Sequence, residues 1–110
     1  MSEKANLTGQ IKIADEVFAN IVSAAVLEAE GVAGMGGQAV SDYLRGKPAK
    51  GVKLSVIEEN VKITLDIMVK SGTKIQEVAL DVQQRVKTAI ETMTGFEANE
   101  VNIQVVGLVV

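Results

Sequence analysis

The sequence predicts an α/β (α+β) fold, a two-layer sandwich in which two helices pack on one face of a small, mainly antiparallel sheet. Two segments carry apolar residues at helical spacing, and four segments alternate apolar and polar residues as a strand with one buried face does. They follow one another in the order β-α-β-β-α-β. Amphipathic helices and a one-sided sheet bury their apolar surfaces against each other, which favours two layers.

The first predicted strand covers residues 9–13, where two isoleucines alternate with polar neighbours. Residues 1–7 precede it as a polar tail that we expect to be flexible. Asp15 can cap a helix that runs to about Ala29. The apolar stripe of this helix consists of Val17, Phe18, Ile21, Val22, Ala25 and Ala29.

A glycine-rich stretch follows, and its first part, GVAGMGG at 31–37, has four glycines in seven residues. The run fits a G-x-G-x-x-A dinucleotide fingerprint, but that fingerprint needs a strand before it and a helix that opens on it. Here a helix comes before, and Glu28 and Glu30 add negative charge to its carboxyl end, which would repel a phosphate. The G-x-x-G that KH domains use to clamp nucleotides has the same acidic flank here. We therefore expect a mobile loop at about 31–51.

Residues 51–70 predict a β-hairpin, because apolar residues alternate with polar ones along both halves. One face of the hairpin should be core and the other mostly solvated. The predicted turn is Glu58-Glu59-Asn60, in which Asn60 can take a positive φ.

The second helix is predicted to open at Thr73, which forms a capping box with Gln76, and to end at Gly95. Its apolar stripe consists of Ile75, Val78, Ala79, Val82, Val86, Ala89, Ile90 and Met93.

The last predicted strand covers residues 100–110, EVNIQVVGLVV, which alternate at first and then become apolar throughout. Such a strand is either a buried member of the sheet or an exposed edge that pairs with another chain. Val106 and Val109 are the candidate residues that face a partner.

Composition narrows the function classes for this chain of 110 residues, the size of one ordinary domain. It contains neither cysteine nor histidine, which removes thiolate chemistry, the commonest general base and the commonest transition-metal ligand. Its adjacent carboxylates, Glu58 and Glu59, are expected to diverge into water at a turn. We therefore predict no enzyme, no cofactor and no metal.

Two further observations concern the compartment. No apolar run reaches the roughly 20 residues that a membrane-spanning helix needs. The polar start, MSEKANLTG, lacks the apolar core of a secretion signal. We therefore expect a cytoplasmic protein.

Basic residues concentrate between positions 45 and 74, although the net charge of the chain is −3. Lys53 and Lys62 should share the solvated face of the hairpin and are candidates for binding an anion or RNA. The overall negative charge argues against nucleic acid, and the patch has no interleaved aromatic residue to stack a base. A solvated sheet face is the simpler interpretation.

Six motifs cover nearly the whole chain after residue 8. They are G-Q-I-K-I-A-D-E-V at 9–17, E-G-V-A-G-M at 30–35, K-G-V-K-L at 50–54, D-I-M-V-K-S-G-T-K-I-Q-E-V-A-L-D-V-Q-Q-R-V at 66–86, M-T-G at 93–95 and E-V-N-I-Q-V-V-G-L at 100–108. Taken in this order, they resemble the alkaline shock protein family of Gram-positive bacteria, also called the envelope stress response or general-stress family. Ser71 departs from the aromatic residue expected in many relatives.

This resemblance implies a single domain over residues 8–110, without known catalytic residues. Some relatives are held near the membrane by a separate membrane-anchored protein and self-associate, whereas others are linked to cell-envelope homeostasis or to fatty-acid and lipid metabolism. We therefore expect a non-enzymatic scaffold of the cell-envelope stress response, a homo-oligomer with a small membrane-anchored partner. The alternatives are a regulator of lipid-synthesis enzymes and a weak RNA- or anion-binding module that uses the basic sheet face.

Overall fold

The computed structural model describes residue 9, residues 11–36 and residues 51–110. These described residues form two helices and one sheet of four strands, with both helices packed on the same face. The predicted two-layer class is therefore confirmed. In chain order the elements are α1 (Asp15–Leu27), β1 (Val32–Met35), β2 (Val52–Ile57), β3 (Asn60–Lys70), α2 (Ile75–Thr94) and β4 (Glu97–Val109).

β3 is the central strand, and it is paired along both of its edges. β2 pairs antiparallel with residues 60–65, and β1 pairs antiparallel with residues 67–69 further along the same edge. β4 runs parallel to β3 along the whole of the other edge. β1 and β2 therefore occupy two stretches of the same edge of β3, and residues 37–50 lie between them in sequence.

The core lies between β3 and the two helices. Every second residue of β3 from Val61 to Val69 is fully buried, as are Val82, Val86 and Ile90 of α2. Phe18 of α1 is also fully buried. Of the 17 buried apolar residues in the described part of the chain, the predicted helical stripes supply eight. Val17, Ile75 and Met93, which also belong to the stripes, are exposed.

The strand predicted at 9–13 is wrong, because residues 11–14 form neither strand nor helix. Ile13 nevertheless packs against the core. The fourth strand is β1 instead, at the start of the predicted glycine-rich loop, and so it follows α1 in the chain. Both edges of β3 are already paired by β1, β2 and β4, which leaves no edge of the central strand for residues 9–13. The loop prediction for residues 37–50 lies outside the described residues.

Two local predictions, for the hairpin turn and for the start of α2, also differ from the structure. The positive φ of the hairpin belongs to Glu58, at 55°, while Asn60 is already part of β3 and pairs with Ile57. The Thr73 hydroxyl donates to the carbonyl oxygen of Lys70 at 2.7 Å, so it does not cap α2.

At the other two helix ends, one prediction is wrong and one is confirmed. Asp15 does not cap α1, because it is the first residue of the helix, and Ala14 before it makes no side-chain cap. Gly95 ends α2 in the left-handed conformation, with φ 79°, as predicted.

Candidate functional site

The candidate site is the face of the sheet that points away from the helices, which we call the open face. The side chains of a strand alternate between faces, so the residues between the buried positions of β3, and their register partners, lie here. They are Lys53 and Ser55 of β2, Lys62, Thr64, Asp66, Met68 and Lys70 of β3, and Glu100, Asn102, Gln104 and Val109 of β4. Val106 of β4 lies on the same face, because its Cγ2 and the Asp66 Cβ are both 2.9 Å from the position of a Cβ on Gly36.

The end of the open face near the hairpin turn is polar and carries both charge signs. Lys53 lies opposite Thr64, and Lys62 lies between Ser55 and Glu100, so both lysines share the solvated face as the sequence predicted. The Glu100 carboxylate accepts a hydrogen bond from Asn102 Nδ2 at 2.8 Å. An anion at Lys62 would therefore meet a carboxylate on the neighbouring strand.

The opposite end of the open face carries an apolar patch of Met68, Val106 and Val109. Val106 is 51% exposed and Val109 is 44% exposed. Met68 lies opposite Gly107, where a Cβ would meet the Met68 methyl carbon at 2.8 Å. Because Gly107 has no side chain, Met68 can lie across β4 beside the two valines.

Val106 is the extra residue of a β-bulge. Val105 pairs with Ile67 and Gly107 pairs with Met68, which leaves Val106 without a register partner on β3. A bulge bends its strand and redirects a side chain. The sequence alternation predicted that Val106 points outward but did not predict the bulge, for which the glycine next to it was the available signal.

Two glycines join β1 and β2 to the middle of β3. Gly36 donates its N–H to the carbonyl oxygen of Asp66 at 2.7 Å, and Asp66 donates its N–H to Gly51 at 2.8 Å. A Cβ on Gly36 would lie 2.9 Å from Val106 Cγ2, and one on Gly51 would lie 2.7 Å from the Gly36 oxygen. The ends of β1 and β2 therefore meet beside the apolar patch.

Two of the three described glycines of the motif, Gly31 and Gly36, serve close packing, whereas Gly34 has nothing within 4 Å of its Cβ position. Gly31 has a φ of +90°, and a Cβ there would lie 2.6 Å from Val78 Cγ2 at the start of α2. Gly34 sits in β1 opposite Met68, and Gly36 packs against Asp66. In the described residues 31–36 these glycines lie in a turn and an edge strand that follow the carboxyl end of α1, whereas a phosphate-binding loop of the dinucleotide type follows a strand.

The outer edge of β4, away from β3, receives two side chains from α2. Glu91 Oε2 accepts a hydrogen bond from the backbone N–H of Ala98 at 3.3 Å, and Gln83 Nε2 donates one to the carbonyl oxygen of Val101 at 2.9 Å. Both bonds satisfy backbone groups that a fifth strand would otherwise use. We call the stretch beyond Val101 the open half-edge.

The shifted pKa values belong to the exposed surface of α2. The ammonium of Lys87, 2.8 Å from Glu91, holds the pKa of that carboxyl below its ordinary value. A hydrogen bond to Asp81 at 3.0 Å raises the pKa of Arg85. Both shifts arise within helical i,i+4 ion pairs, so they do not mark an acid–base site.

In residues 11–36 and 51–110, no three acidic side chains gather closely enough to hold a metal ion. Neither helix there has the length and apolar character to cross a membrane.

Comparison with known proteins gives a matching family model, two related sequences and a solved structure of similar fold. A model of the alkaline shock protein 23 family, described as having a cell envelope-related function, matches residues 3–110. The protein YqhY of Bacillus subtilis strain 168 is 33% identical over 104 residues, which cover 91% of this chain and 77% of YqhY. YloU of the same organism is 34% identical over 106 residues, which cover 91% of this chain and 88% of YloU.

A solved structure of a MamM-CTD variant is similar in fold. The TM-score is 0.55 over 86% of this chain and 98% of that chain, with 12% sequence identity. At this identity the likeness concerns the arrangement of helices and strands.

Proposed function

Because the chain belongs to the alkaline shock protein 23 family, we propose that it is a non-enzymatic interaction protein of the cell-envelope stress response. It works as a cytoplasmic scaffold, by self-association and by binding a small membrane-anchored protein. The cell envelope-related function of the family supports the setting. The apolar patch of Met68, Val106 and Val109 is the observation that supports the mode of action.

The patch has the makeup of a protein-binding surface. Its two valines stay about half exposed on a face that neither helix covers. Thr64, Asp66 and Gln104 border it along the next rows of the same face, and they give it a polar rim. An apolar centre with a polar rim is the usual anatomy of a protein interface. We therefore assign this patch to the membrane-anchored partner, which would bring an apolar segment to it.

The basic residues support the anion-binding alternative less well. Lys53 and Lys62 lie on the open face, but Glu100 is the register neighbour of Lys62 and Asp66 lies further along β3. A mixed-charge surface attracts a polyanion weakly, because phosphate binding depends on net positive charge.

A pulldown from gently solubilised source cells tests the proposal. The bait is the tagged protein, compared with Val106→Lys in the apolar patch and with Ser55→Lys at the polar end of the same face. Both substitutions place one lysine at an exposed position of the open face, so they change charge equally. We expect mass spectrometry to identify a small membrane-anchored protein that wild type and Ser55→Lys retain and Val106→Lys loses. Circular dichroism should show unchanged helix content in both variants.

Other results of the pulldown would favour a different function. A soluble lipid-synthesis enzyme in place of the membrane protein would favour the regulatory alternative. Recovery that depends on RNA would favour nucleic-acid binding. A membrane-anchored protein that Val106→Lys retains as well as wild type does would remove the apolar patch from the proposal.

A further inference from the structure

The side of α1 that points away from the sheet carries no charged residue along most of its length. Residues 17–27 contain none. Within them, four residues share the side of the helix opposite the buried positions Phe18, Val22 and Ala25. Three of the four are exposed, and the last is half-buried. They are Val17, Asn20, Ala24 and Leu27, which we call the outer stripe.

The outer stripe has the spacing of a seam between two packed helices. Its members follow one another at intervals of three, four and three residues, as the contact positions of paired helices do. A helix surface that faces water ordinarily carries charged side chains. The exposed surface of α2 follows this rule with Glu77, Arg85 and Lys87. The outer stripe departs from it, and so it is suited to contact with a further helix.

Acidic residues stand at both ends of the outer stripe. Asp15 and Glu16 open α1, and Glu28 and Glu30 come directly after it. The last turn of α1 has no basic residue, although the helix dipole favours a cation there and disfavours carboxylates. Within the described part of the chain, none of these four carboxylates forms an ion pair. The two acidic ends are about 18 Å apart, at 1.5 Å per residue from Glu16 to Glu28.

A base of α2 lies near the carboxyl end of α1, but it is already engaged. Arg85 Nε lies 3.0 Å from the Asp81 carboxylate. The hydrogen bond to Asp81 is the main cause of the raised pKa of Arg85, and the charges of Glu28 and Glu30 add to it. These two glutamates are therefore close to Arg85 without holding it. The outer stripe thus lies between two acidic ends, neither of which has a cation of its own in the described residues.

We infer that the outer stripe binds an amphipathic helix of another protein, one with apolar residues at the same spacing and a basic residue toward each end. Charge complementarity selects this occupant. A second copy of α1 would bring carboxylates against carboxylates at both ends, whether the two helices ran parallel or antiparallel. An anionic lipid surface or a nucleic acid would be repelled for the same reason. The basic residues of the partner should be about twelve positions apart, to match the distance between the acidic ends.

The outer stripe is separate from the surface in the proposed function. It lies on the helix layer, whereas the apolar patch of Met68, Val106 and Val109 lies on the open face, on the other side of the sheet. One molecule therefore has room for two partners, one on each side. Two such surfaces would let the protein join two other proteins, which is what a scaffold does.

A helical peptide of about 18 residues tests the inference, because that length spans the outer stripe. It carries leucine and alanine at the seam positions and lysines near both ends. One comparison peptide has glutamates in place of the lysines, and another has the same composition in scrambled order, which removes the seam. Fluorescence anisotropy of the labelled peptides measures their binding to the full chain. We expect the lysine peptide to bind roughly tenfold more tightly or better than either comparison peptide, and to bind less tightly as salt is added.

Two protein variants locate the binding site. Ala24→Lys places an ammonium group in the middle of the outer stripe, and Gln84→Lys places one at an exposed position of α2. The two substitutions change charge equally. Ala24→Lys should raise the Kd for the lysine peptide by roughly tenfold or more, because it disrupts the centre of the contact, and Gln84→Lys should raise it by less than about threefold. Circular dichroism should show unchanged helix content in both, since lysine is a good helix former.

Several results would overturn the inference. They are equal binding of the lysine and scrambled peptides, equal effects of the two substitutions, and no binding of the lysine peptide at concentrations on the order of 1 mM. A wild-type dimer that Ala24→Lys dissociates in sedimentation velocity would also overturn it, because a second copy would then occupy the outer stripe. Val106→Lys should bind the lysine peptide as wild type does. Failure here and failure of the proposed function are therefore distinguishable.

Discussion

Gln83 of α2 donates a hydrogen bond from Nε2 to the carbonyl oxygen of Val101, 2.9 Å away on the outer edge of β4. The bond ties the helix layer to the edge of the sheet. Gln83→Ala should lower the free energy of unfolding by about 0.5–1.5 kcal/mol, the usual contribution of one such bond. Urea unfolding followed by circular dichroism measures the change.

The neighbouring glutamine is the control for this prediction. Gln84 bonds the Thr88 hydroxyl on the exposed surface of the helix, so Gln84→Ala should change stability by less than about 0.5 kcal/mol. Equal losses in the two variants would show that the contact with Val101 contributes nothing specific.

Gly31 should tolerate no side chain, for two separate reasons. Its φ of +90° is unfavourable for other residues, and a Cβ would lie 2.6 Å from Val78 Cγ2. Gly31→Ala should therefore cost about 2–4 kcal/mol, which combines backbone strain with overpacking. Gly72 has nearly the same φ, +91°, but nothing within 4 Å of its Cβ position. Gly72→Ala should cost only the strain, about 1–2 kcal/mol, and thermal unfolding of both variants would separate the two terms.

The Ser23 side chain is fully buried in α1, and its hydroxyl has no hydrogen-bond partner in the described part of the chain. A buried hydroxyl without a partner costs about 1–3 kcal/mol of desolvation. Ser23→Ala should therefore be neutral or stabilise the fold by about 1 kcal/mol, whereas Ser23→Val adds volume and should destabilise it. A raised urea midpoint for Ser23→Ala is the expected result. A clear loss of stability would contradict the assignment of the hydroxyl as unsatisfied.

Acid should remove the stabilisation that Glu91 provides. Its pKa is lower in the folded chain, chiefly because Lys87 bonds the carboxylate. Such a group stabilises the fold above its unfolded pKa, and the contribution is lost as the pH falls through the folded pKa. Glu91→Gln should therefore be less stable than wild type at neutral pH, and the difference should shrink as the pH falls below the ordinary glutamate value. Urea midpoints from neutral pH to about pH 3 would measure it.

Removal of Lys87 provides the control for this pH dependence. In a Lys87→Met background, Glu91→Gln should alter the acid dependence much less, since the main cause of the lowered pKa is gone. The same acid dependence with and without Lys87 would assign it to the backbone contact of Glu91 with Ala98.

Strands with a long, regular alternation of apolar and polar residues could be predicted from the sequence. β2 and β3 lie within the predicted hairpin, because burial of one face imposes a period of two over many residues. The same period placed Lys53, Lys62 and Val106 on the open face. β1 could not be found this way, because its four residues include a glycine and show no alternation. It is a strand because the far end of β3 offers it an edge.

Contacts between elements that are distant in sequence could not be predicted from local sequence patterns. The bonds of Gln83 and Glu91 to β4 join residues that are 18 and 7 positions apart. They depend on how α2 lies over the sheet, which no single stretch of sequence specifies. The bulge at Val106 likewise depends on the register between β3 and β4.

Asp66 binds the end of β1 through Gly36 and the start of β2 through Gly51, so β3 alone fixes the positions of the two ends between which the chain must connect. Lengthening that connection should cost little free energy of folding, because each doubling of a flexible loop costs only about 0.6 kcal/mol. The protein thus has a grafting point at which peptides of different length and charge can be exchanged while the sheet keeps its register. Anything grafted there emerges beside Val106, next to the surface that we assign to the partner.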